Sequence, residues 1–333
     1  MLSDPYLSYF TGKRILITGA SGYLAANLVN SLVDVSCAII RLSRNEKLAS
    51  IDGEFNTSDI NGDICGNEVW ELALSKKPDI IYHFSGQTSV YKAGEDPLAD
   101  LDSNVSPMLR LLESCRNLDY KPIVVFAGTS TEVGIPETLP VDETFTDNPV
   151  TLYDLHKLMA ENYLKIYCQY GYVCGASLRL TNVYGPGPQC GSSDRGILNQ
   201  MVRKALVGEP LTIYGTGEYI RDYVFIDDVV DAFLSVPMNS TQTNGRHFVI
   251  GSGEGNSISQ AINLVADRAK ERKGISVSVE HVTPPSHLSP IESRNFIADS
   301  SRFKQATGWE PQFMLQKGID LTLEEYSSGV TKC

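Results

Sequence analysis

The chain has 333 residues, of which 42% are hydrophobic and 20% charged, with 27 glycines. That is ample material for a packed core, which excludes disorder for most of the chain, and the length allows one large domain or two smaller ones. Lys and Arg number 28 against 40 Asp and Glu, a net charge of −12, which argues against general binding to nucleic acid or to an anionic membrane surface.

In chain order, residues 1–11 show no basic stretch followed by a long apolar one, so no secretory segment is read there. Residues 13–18 read as a short strand ending in Gly19-Ala20-Ser21-Gly22. Residues 23–33 then read as a helix with Leu24, Leu28 and Leu32 on one face. Residues 36–41 and, more weakly, 55–63 read as further strands. A helix over 69–77 is broken by Pro78-Asp79, and 80–84 reads as a buried strand. Residues 100–116 read as one long amphipathic helix, 123–127 as a strand, 153–170 as another long helix and 173–180 as a strand. This alternation predicts an α/β fold with a Rossmann-type doubly wound parallel sheet.

After residue 180 the order becomes irregular. A turn-rich stretch over 182–189 precedes a helix over 197–207, a strand over 211–214 and a helix over 226–236. A strand over 247–250, a helix over 257–273 and a last helix over 300–307 follow. The expected organisation is a dinucleotide-binding domain over 1–180, with segments near 220–250 returning to it, and a smaller substrate-binding lobe over 181–333. The seven cysteines (37, 65, 115, 168, 174, 190 and 333) are odd in number and form no C-x-x-C pair. They read as reduced thiols of a cytoplasmic protein without a metal site, and no apolar run is long enough to span a bilayer.

The Gly19–Gly22 turn between strand and helix is where a diphosphate could approach the backbone. Unpaired N–H groups and the helix dipole favour negative charge there, and glycine permits the turn. A NAD site usually carries an acidic residue at the end of the second strand. Here that region reads Arg41-Leu42-Ser43-Arg44, with no carboxylate before Glu46. Two arginines and a serine favour NADP, with NAD as the alternative. Asp63, after Gly62, either accepts from the adenine amino group or caps a turn.

Tyr153 and Lys157 are four apart on a helix, hence on one face. A nearby ammonium favours the phenolate, and a phenol so tuned exchanges a proton with a sugar hydroxyl during hydride transfer. Lys157 can also hold the nicotinamide ribose. His156 lies one position off that face and reads as a surface residue, not the base.

With these motifs in order, nearly the whole chain resembles the extended short-chain dehydrogenase/reductase superfamily, in particular its nucleotide-sugar epimerase and dehydratase branch. The resemblance is carried by Thr18 to Leu24, Gly62-Asp63-Ile64, His83 to Gln87, Asn104, Thr129 to Val133, Tyr153 to Lys157, Arg179 to Gly187, Tyr214 to Gly217, Arg221 to Val229 and Gly308 to Pro311. It implies a catalytic hydroxyl, tyrosine and lysine. The last two fall on Tyr153 and Lys157. The hydroxyl falls on Thr129 without a gap, or on Ser130 with one gap before Gly134. It further implies a dinucleotide against Gly19, Ser21, Gly22, Tyr23, Leu24, Arg41, Ser43, Arg44, Asp63, Ile64, Phe84, Ser85 and Gly86. Thr88 and Asn182 become substrate contacts. Asn199, Arg221 and Arg294 become partners of the sugar-nucleotide diphosphate, although Arg221 could instead pair with Asp222 or Asp299. A homodimer is implied through the helices over 100–116 and 153–170, whose apolar stripes could otherwise face the sheet.

The shared first step of these relatives is hydride removal from a sugar carbon, C4 being the expected one. An epimerase is the first expectation. An NADPH-dependent 4-keto-sugar reductase and a 4,6-dehydratase are the alternatives. The dehydratases resemble one another in an Asp-Glu pair directly after the catalytic threonine. Here Ser130 and Thr131 follow Thr129, or Thr131 and Glu132 follow Ser130, so the aspartate is missing either way. A dinucleotide-sensing regulator on the same fold is the non-enzyme alternative, and the presence of both Tyr153 and Lys157 argues against it. Thr88-Ser89, 134–141 and 190–195 are the loops expected to select the sugar.

Overall fold

Ile15 and Ile17 point into one hydrophobic cluster and Leu16 into another, so the first strand is buried on both faces. Burial of that kind is the mark of a parallel sheet covered by helices on each side. The computed structural model describes residues 4–44, 48, 53, 55–187 and 196–328. Its main sheet contains β1 (Arg14–Thr18), β2 (Ala38–Ser43), β3 (Asn56–Asn61), β4 (Ile80–His83), β5 (Ile123–Thr129) and β6 (Cys174–Leu180). A seventh strand joins it from further along the chain. In sequence come β7 (Asn182–Tyr184), β8 (Leu211–Tyr214), β9 (Ile220–Phe225), β10 (Arg246–Ile250), β11 (Gly255–Ser257) and β12 (Val279–Val282). The sheet order is β10-β6-β5-β4-β1-β2-β3, and every neighbouring pair is parallel. Strand order therefore reverses between β1 and β4, and a crevice opens at the carboxyl ends of such strands.

The helices are α1 (Asp4–Phe10), α2 (Tyr23–Ser31), α3 (Asn67–Ser75), α4 (Val90–Glu95), α5 (Pro97–Asn104), α6 (Ser106–Asn117) and α7 (Leu152–Gln169). They continue with α8 (Ile197–Leu206), α9 (Ile226–Met238), α10 (Ser240–Thr243), α11 (Ile258–Lys273), α12 (Ser301–Thr307) and α13 (Leu315–Ser327). Leu28 and Val29 of α2 and Phe233 of α9 fill one face of the sheet. Trp70 of α3, Met108 and Leu112 of α6 and Leu164 of α7 fill the other. Beyond β6, the small sheet β11-β9-β7 and the pair β12-β8 lie with α8, α11 and α13, which pack on one another.

The expected single helix over 100–116 is two, because α5 stops at Asn104 and Pro107 opens α6 as one of its first helical residues. Proline lacks the N–H that an unbroken helix needs there. The helix over 301–307 is not the last: α13 follows, burying Leu315, Ile319 and Leu323 at helical spacing. Strand β9 also lies where a motif, but no strand, was expected. Among the described residues no helix is long and apolar enough to cross a membrane, and no cluster of side chains could hold a metal ion. Cys37, Cys65, Cys115, Cys168 and Cys174 are free thiols.

Candidate active site

A cleft of about 390 Å³ lies over the reversal point. Its floor is the turn after β1. Gly19 has φ +66°, and a Cβ there would stand 2.9 Å from the Ser85 nitrogen. Gly22 is the N-cap of α2 and provides no side-chain cap, so the first N–H groups of the helix stay available to a ligand. Gly19, Gly22, Tyr23, Leu24, Phe84 and Gly86 all line this cleft. Gly86 is equally constrained, since a Cβ would meet the Asn104 Oδ1 at 2.5 Å. A backbone cradle open at an uncapped helix start fits the diphosphate of a dinucleotide.

Tyr153, Lys157 and Thr129 line the same cleft. Tyr153 and Lys157 lie on the first turns of α7, whose start is capped by Thr151 accepting from the Asp154 N–H at 3.2 Å. Both are buried, and the Lys157 Nζ lies 4.1 Å from the centre of the Phe126 ring. Beneath them His83 is fully buried, its Nδ1 3.0 Å from the Thr18 hydroxyl. Burial, with the charge of Lys157, pushes its pKa down to about 3. It is therefore a neutral packing element near pH 7.

Thr129 ends β5 facing the cleft. Ser130 begins the 3-10 turn Ser130–Val133 and is 3% exposed, away from the lining. Thr129 is thus the hydroxyl on the same wall as Tyr153. Glu132 accepts from its backbone N–H at 2.9 Å. Glu132 is itself part of a buried cluster, with the Arg179 Nε 2.9 Å from its Oε2. Arg179 also reaches Glu161 at 2.6 Å and Asp147 at 2.6 Å. Burial raises the Glu132 carboxyl well above its usual range. At Glu161 the same burial is outweighed by Arg179, and its carboxyl is held low.

His156, expected at the surface, is 5% exposed, with its Nδ1 2.6 Å from the Asp100 Oδ2. Asp100 also accepts from Gln87 and Asn104, at 2.7 and 3.0 Å. The helical face carrying His156 is covered by α5, which sequence spacing does not reveal. This network ties α7 to the loop after β4.

At the carboxyl end of β2, Ser43 donates to Ser21 of the glycine turn at 3.2 Å, and Arg44 follows it, exposed. Arg41 departs from expectation. It is buried, and its guanidinium makes a two-point contact of 2.7 Å with Asp59, its register partner on β3. Its charge is met by Asp59 across the β2–β3 pair. Asp63 accepts from the Cys65 N–H at 2.9 Å, which lowers its pKa, and so acts as a turn cap. The Ile64 carbonyl accepts from Trp70 at 2.8 Å, and the Ser85 N–H donates to Thr18 at 3.1 Å.

Thr88 and Asn182 also line the cleft, and Asn182 donates to the Asp222 carbonyl at 3.0 Å. Asn199, Arg221 and Arg294 stand behind the wall and are not among its lining residues. Asn199 accepts from the Gly185 N–H at 3.0 Å. Arg221 donates to the carbonyls of Glu292, at 2.7 Å, and Arg294. Among the described residues it forms no ion pair with Asp222 or Asp299: Asp222 instead accepts from the backbone of Ser252, Gly253 and Ala298. Arg294 donates to the Ile291 carbonyl at 3.0 Å, and burial brings its pKa down to about 10.

Sequence reasoning missed Thr181, Tyr223 and the start of α8, all of which line the cleft. The signal for the last was Gly196 before an amphipathic helix: it is the N-cap, with φ +93° and no side-chain cap. Residues 190–195, expected to select the sugar, lie outside the described residues. A second, larger cleft of about 510 Å³ between Pro140, Gly251 and Trp309 contains none of the glycine loop, Tyr153 or Lys157. Its Lys304 is paired with Glu310.

The model of the NAD dependent epimerase/dehydratase family matches residues 15–251. A UDP-glucose 4-epimerase of Mycolicibacterium smegmatis is 29% identical over 316 residues, 93% of this chain and 97% of that protein. The crystal structure of the UDP-glucose 4-epimerase of Thermotoga maritima with UDP-glucose superposes with a TM-score of 0.82 at 27% identity, covering 95% of this chain and 99% of that one. The Thermus thermophilus UDP-glucose 4-epimerase in complex with NAD gives 0.80 at 27% identity, covering 95% and 100%.

Proposed function

Because the chain belongs to the NAD dependent epimerase/dehydratase family and is an enzyme, we propose that it is a nucleotide-sugar epimerase acting at C4. The carrying observation is the convergence of Tyr153, Lys157 and Thr129 on the cleft that also holds the uncapped start of α2. A second uncapped helix start, that of α8, opens into the same cleft. Two such ends provide for two diphosphates, one of the dinucleotide and one of the sugar nucleotide.

In this reading the dinucleotide supplies the hydride acceptor. Tyr153 takes and returns the proton of the sugar hydroxyl, Thr129 holds the reacting oxygen, and Lys157 holds the ribose. Asn182 and Thr88 contact the sugar. Arg221 and Arg294, short of counter-charge, attract the sugar-nucleotide diphosphate from behind Tyr223. The preference for NADP over NAD rests on Ser43 and Arg44 alone, since Arg41 is held by Asp59. The division of labour near residue 180, a homodimer through the outer faces of α5 and α7, where Leu98, Leu155 and Ile166 are exposed, and a cytoplasmic location complete the reading.

Purified protein supplied with UDP-glucose should form its 4-epimer. Tyr153→Phe should lower turnover by about 10²–10⁴-fold, the usual worth of a placed acid/base, with an unchanged circular dichroism spectrum. Unchanged turnover by the variant would overturn the assignment.

A further inference from the structure

A chain of hydrogen bonds leads out of the cleft into the protein. The Thr129 Oγ1 lies 2.9 Å from the Thr131 Oγ1, and the Thr131 Oγ1 lies 2.5 Å from the Asp154 Oδ1. Only Thr129 lines the cleft. Thr131 and Asp154 are buried, Asp154 completely.

Each hydroxyl owns one proton, so the direction of the chain is set at its inner end. When Asp154 is ionised it only accepts. Thr131 must then donate to it, Thr129 must donate to Thr131, and Thr129 presents only a lone pair to the cleft. When Asp154 is protonated, the order reverses: Asp154 donates to Thr131, Thr131 to Thr129, and Thr129 donates into the cleft. A ketone or developing oxyanion on the sugar has no proton to give and is stabilised by a donor. The donating arrangement is therefore the competent one.

Resting on the reading that Thr129 holds the reacting oxygen, we propose that Asp154, acting through Thr131, is a positioning residue whose protonation sets the direction of the Thr129 hydroxyl. Burial of the group works against its ionised form. Asp154 Oδ2 is buried and has no hydrogen-bond partner among the described residues, a costly position for an ionised carboxylate. Burial raises the carboxyl above its ordinary range, against the hydrogen bonds from Thr131 and Thr151 and the charge of Arg294. The other charged groups near α7 are otherwise engaged. Glu132 is paired with Arg179, and Asp100 with His156. Lys165 is paired with Glu161 and Glu113 with Arg116, while Lys92 and Glu95 of α4 are exposed. Lys157 and Tyr153 share the first turns of α7 with Asp154, and His83 under Lys157 is neutral.

The test has two arms. In infrared spectra of the purified protein, the difference between wild type and Asp154→Asn should hold one buried carboxylic acid band that disappears as pH rises, beside the bands of buried groups such as Glu132 that both proteins share. In turnover of UDP-glucose, Thr131→Val should lower kcat by about 10-fold or more, with KM little changed, since an oxyanion donor is worth about 10²–10³. Asp154→Asn, whose amide can donate as the acid does, should keep most of kcat and lose the alkaline limb that coincides with the infrared titration. Tyr153→Phe should keep the infrared titration while losing turnover, which separates this proposal from the general mechanism. Carboxylic acid bands that are the same in wild type and Asp154→Asn at every pH, an unchanged kcat in Thr131→Val, or an unaltered alkaline limb in Asp154→Asn would overturn it.

Discussion

Two buried arginine sites flank the cleft, and they are held in different ways. Arg179 is enclosed by Glu132, Glu161 and Asp147, and these carboxylates raise its pKa against the effect of burial. Arg221 and Arg294 are held mainly by main-chain carbonyls, with Glu292 the carboxylate at hand, 3.7 Å from Arg221 and itself half in water. Burial lowers the pKa of both. A guanidinium neutralised by carboxylates is committed to the fold. One held by carbonyl dipoles keeps its charge and can still act on an anion. The same contrast recurs at the carboxyl end of β2, between Arg41 against Asp59 and the exposed Arg44.

The largest expected effect is at Arg179. Arg179→Met leaves two glutamates buried beside each other, and removing one partner of a buried ion pair costs about 3–5 kcal/mol. Urea unfolding should show this as a large fall in the midpoint, and a wild-type midpoint would end the distinction. Next, Arg294→Leu should weaken UDP-glucose binding by about 10-fold, or about 1.4 kcal/mol, the attraction of a charge acting from behind the cleft wall rather than by contact. Its unfolding midpoint should move far less than that of Arg179→Met. Calorimetric titration decides this: unchanged affinity with a collapsed midpoint would place both arginines in the same class. The smallest effect is at Arg44. Arg44→Ala should reduce the ratio of NADPH to NADH affinity by no more than about 5-fold, since exposed charge pairs are worth roughly 0.2–1 kcal/mol. A ratio that does not change would leave Ser43 alone in support of a 2′-phosphate site.

Some of this was legible in the sequence because it is local. Gly19, Gly22, Tyr153 and Lys157 declare themselves by spacing and by the strand or helix that carries them, and the elements around them could be ordered into a parallel sheet. Pro107 was visible too, but the apolar stripe through Leu101, Val105 and Met108 reads as continuous, and only the backbone shows the break between α5 and α6. What stayed hidden depends on distant partners. Nothing near Arg41 in sequence points to Asp59, which arrives one strand later. His156 is buried because α5 crosses its face, not because of its neighbours on α7. The alternatives of Thr129 and Ser130 differ by one residue. The end of β5 separates them, turning Thr129 toward the cleft and folding Ser130 into the turn behind it.

The edge strand β10 joins the main sheet beside β6, with Arg246 opposite Ala176, although β7, β8, β9 and three helices lie between the two strands in sequence. During synthesis β6 therefore emerges long before the strand that covers its open side. Pairings at such long range are slow to form, and an uncovered strand edge invites association with other chains. A fragment ending at residue 180 would carry the glycine loop, Tyr153 and Lys157, yet would expose that edge along its whole length. The later half of the chain thus closes the sheet of the earlier half.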